Sequence, residues 1–129
     1  MKRHNLKFRW LPGAYAIVRL PAASAVPEWA TRGDFTSITR TAEELSIVCL
    51  ADNVPHDVHS PHRWVCLKLE GPFPFTLTGV LLSFIERLSS SGIPIFAVST
   101  YDTDYVLINQ DRSEGVVDLL RAAGHELIA

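Results

Sequence analysis

The chain has 129 residues, a formal net charge of -2, and 47% hydrophobic against 20% charged residues. That balance fits one folded domain or two small fused ones and excludes a disordered chain. It gives no electrostatic case for nucleic acid or an anionic membrane, and no run approaches the ~20 apolar residues of a membrane span.

Lys2, Arg3, Lys7 and Arg9 form a basic N-terminal cluster. It reads as a solvated edge, because no aromatic interleaving or base-reading helix follows it. Leu6, Phe8 and Trp10 alternate with Lys7 and Arg9, which predicts a half-buried strand. The same alternation leaves no apolar signal core, so a cytoplasmic protein is expected. Leu11-Pro12-Gly13 is a turn, residues 14–20 form a second strand, and the two strands read as a hairpin. Pro27-Glu28-Trp29-Ala30 opens a short helix closed by Gly33. Residues 35–40 alternate as a strand, Thr41-Ala42-Glu43-Glu44 turns the chain, and Leu45–Leu50 is apolar enough for a central strand. Cys49 and Cys66 lie in apolar runs and read as reduced core residues rather than a disulfide or redox pair.

Residues 52–62 are polar, contain two prolines and make the best internal boundary. Imidazole and carboxylate ligate zinc, and His56, His59 and His62 recur at intervals of three beside Asp52 and Asp57. The prolines oppose a helical presentation and no fourth ligand stands at a standard spacing, so a surface linker without metal is the expectation.

Residues 63–70 alternate as a strand, and Gly71-Pro72-Phe73-Pro74-Phe75 is a stiff loop. Leu77, Val80, Leu81, Phe84 and Leu88 recur at helical spacing, which predicts a helix over 77–91 with that stripe in the core. Thr76 or Thr78 is the expected cap, and Gly92 ends the helix. Two β-branched runs then flank the knot Ser99-Thr100-Tyr101-Asp102-Thr103-Asp104, giving a hairpin with a dense polar tip. Its strands are expected at the centre of the sheet. Asp111 or Ser113 caps a second helix, whose Val116, Val117, Leu119 and Leu120 face inward before Gly124. Leu127-Ile128 is a short edge strand. Residues 63–129 thus read β-α-β-β-α-β, the ferredoxin-like order.

Residues 71–81, with Phe75-Thr76-Leu77-Thr78-Gly79, and residues 92–107, with Ser99-Thr100-Tyr101-Asp102-Thr103-Asp104-Tyr105, resemble the ACT-domain family. Within it they are similar to the tandem-ACT subfamily of small bacterial ACT proteins and CASTOR-like arginine sensors. The clear match covers the C-terminal half. The resemblance implies an α+β fold of two ferredoxin-like units with antiparallel sheets and helices on one face. Residues 1–60 would be a degenerate N-terminal unit and 61–129 the C-terminal ACT domain. It also implies a regulatory protein that binds a small-molecule effector, an amino acid, without catalytic activity or cofactor. In the sensors several ACT units build the site, so a chain with at most two is expected to form a homodimer.

The residue chemistry points the same way. Unpaired amides at a helix start suit a carboxylate, here at Thr78, Gly79 and Val80. Asp102 and Asp104 suit an ammonium. The candidate ligand-binding set is Phe75, Thr78, Gly79, Val80, Ser99, Thr100, Asp102, Thr103 and Asp104. No nucleophile–base–orienter set, phosphate-cradling loop or metal signature supports an enzyme. The alternative is a protein-interaction or dimerisation module with a vestigial pocket.

Overall fold

The computed structural model describes residues 4–74 and 76–128; Lys2, Arg3 and Phe75 therefore lie outside the described residues. In chain order the strands are β1 (Lys7–Trp10), β2 (Tyr15–Leu20), β3 (Ser37–Arg40), β4 (Leu45–Leu50), β5 (Trp64–Leu69), β6 (Phe96–Ser99), β7 (Asp104–Asn109) and β8 (Glu126–Leu127). The helices are α1 (Val80–Ser90) and α2 (Val116–Ala122), and short 3-10 turns occupy Glu28–Thr31, Ala51–Asn53 and Gln110–Arg112. The fold is α+β with ferredoxin-type construction. It divides into two units, one of residues 12–64 and one combining residues up to 11 with those from 65 onward.

In the unit of residues 12–64, β4 lies between β3 and β2, antiparallel to both. Its continuous apolar run fits that central place. Ala16, Val18, Leu45, Ile47 and Cys49 build a core with Ala30 from the first 3-10 turn. The expected turn at residues 41–44 forms, with the Thr41 hydroxyl accepting from the amides of Glu43 and Glu44.

The other unit carries both helices. β5 pairs with β1 on one side and β7 on the other, β6 pairs with β7, and β8 pairs with β1. Leu6, Phe8, Leu67, Leu69, Val106 and Ile108 cover one sheet face. Val80, Phe84 and Leu88 of α1 and Val116 and Leu120 of α2 pack on it. Each helical set follows the 3.6-residue period, which buries one stripe of each helix. Phe84 sits edge-on to Phe8, with centroids 5.3 Å apart.

Several expectations are corrected. β1 and β2 do not form a hairpin with each other. β1 runs antiparallel to β5, with Phe8 opposite Leu69, and β2 pairs with β4. β8 lies parallel to β1, so β1 occupies the place beside β5 that a plain βαββαβ order gives to the last strand. The hairpin strands are not the sheet centre, since β6 is at the edge and β5 is central. Neither Thr76 nor Thr78 caps α1, and neither Asp111 nor Ser113 caps α2. Gly79 and Gly115 are the N-cap residues, at φ 77° and 80°, without a side-chain cap bond. A left-handed approach brings the chain onto the helix more sharply than a threonine at that position permits. At the other ends Gly92 and Gly124 close the helices as expected. Ile93 N–H reaches Leu88 O and His125 N–H reaches Leu120 O, each at 3.0 Å.

Candidate functional site

The hairpin tip is tied both to itself and to the loop that follows β5. β6 and β7 last pair at Ser99 and Asp104. Thr100 N–H donates to Thr103 O at 2.8 Å, closing the turn. The Thr100 hydroxyl donates to Thr103 O at 3.1 Å and accepts from Thr103 N–H at 3.3 Å. Asp and Thr side chains favour such turns because they replace backbone partners locally. Two longer-range bonds then dock the tip. The buried Thr103 hydroxyl donates to Leu69 O at 2.8 Å, and Phe73 N–H donates to Asp102 O at 2.8 Å. Gly71 makes this approach possible. A Cβ there would stand 2.8 Å from Asp102 O and 3.2 Å from the Thr103 Cβ.

These anchors place the tip beside the approach to α1. A cleft of about 290 Å³ is lined by Phe73, Pro74, Leu77 and Val80, and by residues Ser99 through Asp104. It carries two carboxylates, Asp102 and Asp104, and no lysine, arginine or histidine among its described lining residues. Asp102 is exposed, and Asp104 is half-buried and accepts from the Ser99 hydroxyl. The cleft therefore joins an acidic rim to an apolar wall, which suits a small ligand with a cationic group and apolar body. Burial raises the Tyr105 phenol pKa, and the nearby Cys66, Asp102 and Glu70 push it the same way.

The predicted residues are only partly brought together. Val80, Ser99, Thr100, Asp102, Thr103 and Asp104 share the cleft. Thr78 and Gly79 precede Val80 without lining it; the Thr78 carbonyl accepts instead from His4 Nε2 at 2.9 Å. Phe75 lies outside the described residues. Sequence reasoning missed Phe73, Pro74 and Tyr101, and it placed Leu77 in the helical core stripe. Leu77 precedes α1 and is 38% exposed, with its amide bonded to Pro74 O. The two prolines around Phe73 were the available signal, since they hold that loop extended toward the tip.

In this cleft the Ser99 hydroxyl donates to the Asp104 carboxylate, and no histidine stands among the described lining residues. In residues 52–63 the three histidines remain exposed. No group of three or more His, Cys, Asp or Glu among the described residues is placed to hold a metal ion. Burial pushes the Cys49 thiol up to about 11 and Cys66 up to about 12, far from a reactive thiolate. No helix of the described residues is long and apolar enough to cross a membrane.

Comparison with known proteins adds two family matches. Residues 59–122 match the ACT domain, and residues 13–57 match a family described as an N-terminal domain. Among solved structures, the protein Atu0741 from Agobacterium tumefaciens is 50% identical, with a TM-score of 0.90. The match covers 97% of this chain and 93% of that one. VC0802 from Vibrio cholerae, described as a protein of unknown function, superposes with a TM-score of 0.74 at 15% identity. That match covers 93% of this chain and 91% of the other, and it shows a shared fold.

Proposed function

The chain belongs to one family with Atu0741 and carries an ACT domain at residues 59–122, and from that premise we propose that it is an amino-acid-responsive regulatory protein without catalysis of its own. An ACT domain is a regulatory, ligand-binding unit. The effector binds where the hairpin tip faces the start of α1. Its ammonium meets Asp102 and Asp104. Its carboxylate meets the first amides of α1, around Thr78, Gly79 and Val80, where the helix dipole favours an anion. Phe73, Pro74 and Leu77 enclose the side chain. Thr100, Thr103 and Ser99 hold the tip in shape. In this reading residues 1–60 hold a reduced ACT-like unit, residues 61–129 are an ACT unit whose sheet β1 joins, and the family tie extends to the tandem-ACT sensors. The protein acts in the cytoplasm as a homodimer, for which β6, paired among the described residues with β7 alone, supplies an edge.

The observation that carries this reading is the cleft lined both by Asp102 and Asp104 on an anchored hairpin tip and by Val80, the first residue of α1. A thermal-shift screen against the amino acids tests it. Binding to the folded state alone stabilises by about 2.7 kcal/mol at a hundredfold excess over Kd, which raises Tm by several degrees. The raising ligand must lose its effect on Asp104→Ala. If no amino acid at millimolar concentration moves Tm, the effector assignment is wrong.

One observation favours a second reading. The Thr100, Thr103 and Ser99 hydroxyls are all spent within the protein. That is what a protein-interaction module with a vestigial pocket would show, and the same screen then returns no shift with any amino acid.

A further inference from the structure

His125 lies three residues past the end of α2 and is 4% exposed. Gly124, at φ 95°, reverses the chain so that the His125 ring lies against Phe84 of α1, centroids 5.3 Å apart. Both ring nitrogens have partners. Nδ1 accepts from the Leu6 amide at 3.1 Å, and Nε2 stands 2.9 Å from the Ser83 carbonyl. A carbonyl only accepts, so Nε2 carries the proton and Nδ1 carries none. The neutral ring in one tautomer thus joins three elements. It extends the β1–β8 ladder beyond the bond from Glu126 N–H to Leu6 O, and it fastens that ladder to α1. The N-terminal segment is held to α1 again by His4, whose amide donates to Ser83 Oγ and whose ring donates to Thr78 O.

We propose that His125 is an acid-sensitive latch that holds residues 4–6 and the C-terminal strand against α1, and that protonation at Nδ1 releases them. A proton on Nδ1 sets two N–H donors against each other in a site closed to water. The Leu6 amide then loses its acceptor, and the ring gains a charge it cannot solvate. Burial holds the ring below its ordinary value, with the Ser83 carbonyl acting weakly the other way. The titratable and charged side chains on the elements around the ring are His4 of the N-terminal segment, Lys7 and Arg9 of β1, Glu86 and Arg87 of α1, Asp118 and Arg121 of α2, and Glu126 of β8. The ring's own two bonds go to Leu6 and Ser83. The sign follows from the lowered folded value. The latch is fully closed above the ordinary imidazole range and weakens as pH falls through the folded value.

Amide hydrogen exchange on the full chain tests this, with protection factors measured from pH 7.5 to 5. The proposal expects protection at Leu6 and Glu126 to fall by up to about tenfold per pH unit below about 6.5, while Val106 and Leu107 in β7 hold theirs. In His125→Asn, whose amide oxygen can accept from Leu6 but does not titrate, the pH dependence at Leu6 disappears. Flat protection at Leu6 in the unaltered protein, or an equally steep dependence in His125→Asn, overturns the latch. If the variant does not fold, labelled-histidine NMR of the unaltered chain decides. His125 titrating below the ordinary imidazole value, together with loss of Leu6 protection, supports it. Titration of His125 at the ordinary value while Leu6 stays protected overturns it.

Discussion

Two loops of this chain are rich in residues that ligate, and they are held in different ways. The hairpin tip Thr100–Thr103 is bolted to its surroundings through Thr103 to Leu69 O and through Asp102 O to Phe73 N–H. The loop of residues 51–63 holds three histidines, all exposed. Its start is tied down by Ala51 N–H to Ala14 O at 2.9 Å and by Asn53 Nδ2–H to Arg32 O at 3.2 Å, and Val54 and Val58 pack on the core. The histidine stretch itself has short local backbone bonds, such as Val58 N–H to Pro55 O at 3.0 Å. It also borders a cleft of about 620 Å³, larger than the one at the tip. Size and polar content therefore do not distinguish a site from a solvated loop. The distinguishing feature is whether a scaffold fixes the functional groups before the ligand arrives, because ordering them afterwards costs binding energy.

The comparison breaks most visibly if the anchors are removed. Gly71→Ala drives a methyl against the Asp102 carbonyl and should cost about 1–3 kcal/mol by overpacking. Thr103→Val keeps the shape but leaves Leu69 O without its buried donor, at about 1–3 kcal/mol. Chemical denaturation measures both, and either variant at parent stability would show that the tip is not anchored as described. A smaller effect is expected at Arg9 and Glu70, an ion pair across β1 and β5 near the same end of β5. The hydrogen bond from Arg9 lowers the Glu70 carboxyl below its ordinary value. Its stabilisation is present above that ordinary value and is lost as pH falls through the folded one. Glu70→Gln should cost about 0.2–1 kcal/mol at neutral pH and make the acid limb of the stability profile shallower. The smallest effect belongs to the other loop. Replacing His56, His59 and His62 together by alanine should change stability by no more than about 0.5 kcal/mol, and zinc should leave Tm unmoved in parent and variant alike. A zinc-dependent rise in the parent would reverse the contrast.

Much of the fold was legible because burial imposes a period. The runs at Leu45–Leu50 and Trp64–Leu69 and the stripe Val80, Phe84, Leu88 announce their elements through spacing alone. Pairing was less legible. Nothing in Lys7–Trp10 says that its partners are β5 and β8, since an alternating strand is satisfied by any complementary neighbour. The helix starts misled for a local reason. Thr78 and Ser113 are good cap residues beside glycines that take the cap position themselves. At the site, residue types pointed to the tip, but not to which hydroxyls would be consumed by backbone. Thr103 borders the cleft, but its hydroxyl is given to Leu69 O. Leu77 looked like core and borders the cleft. His125 carried no sequence signal, because its meaning lies in the distant residues Leu6 and Ser83.

The most direct test of the effector site is chemical-shift mapping on the labelled protein, titrated with whichever amino acid raises Tm most. The account predicts saturable perturbations concentrated at Thr100–Asp104, Phe73 and Leu77–Leu81, with residues 52–62 unmoved and the perturbations absent in Asp104→Ala. Perturbations centred on the histidine loop, or a pattern that Asp104→Ala leaves intact, would contradict it.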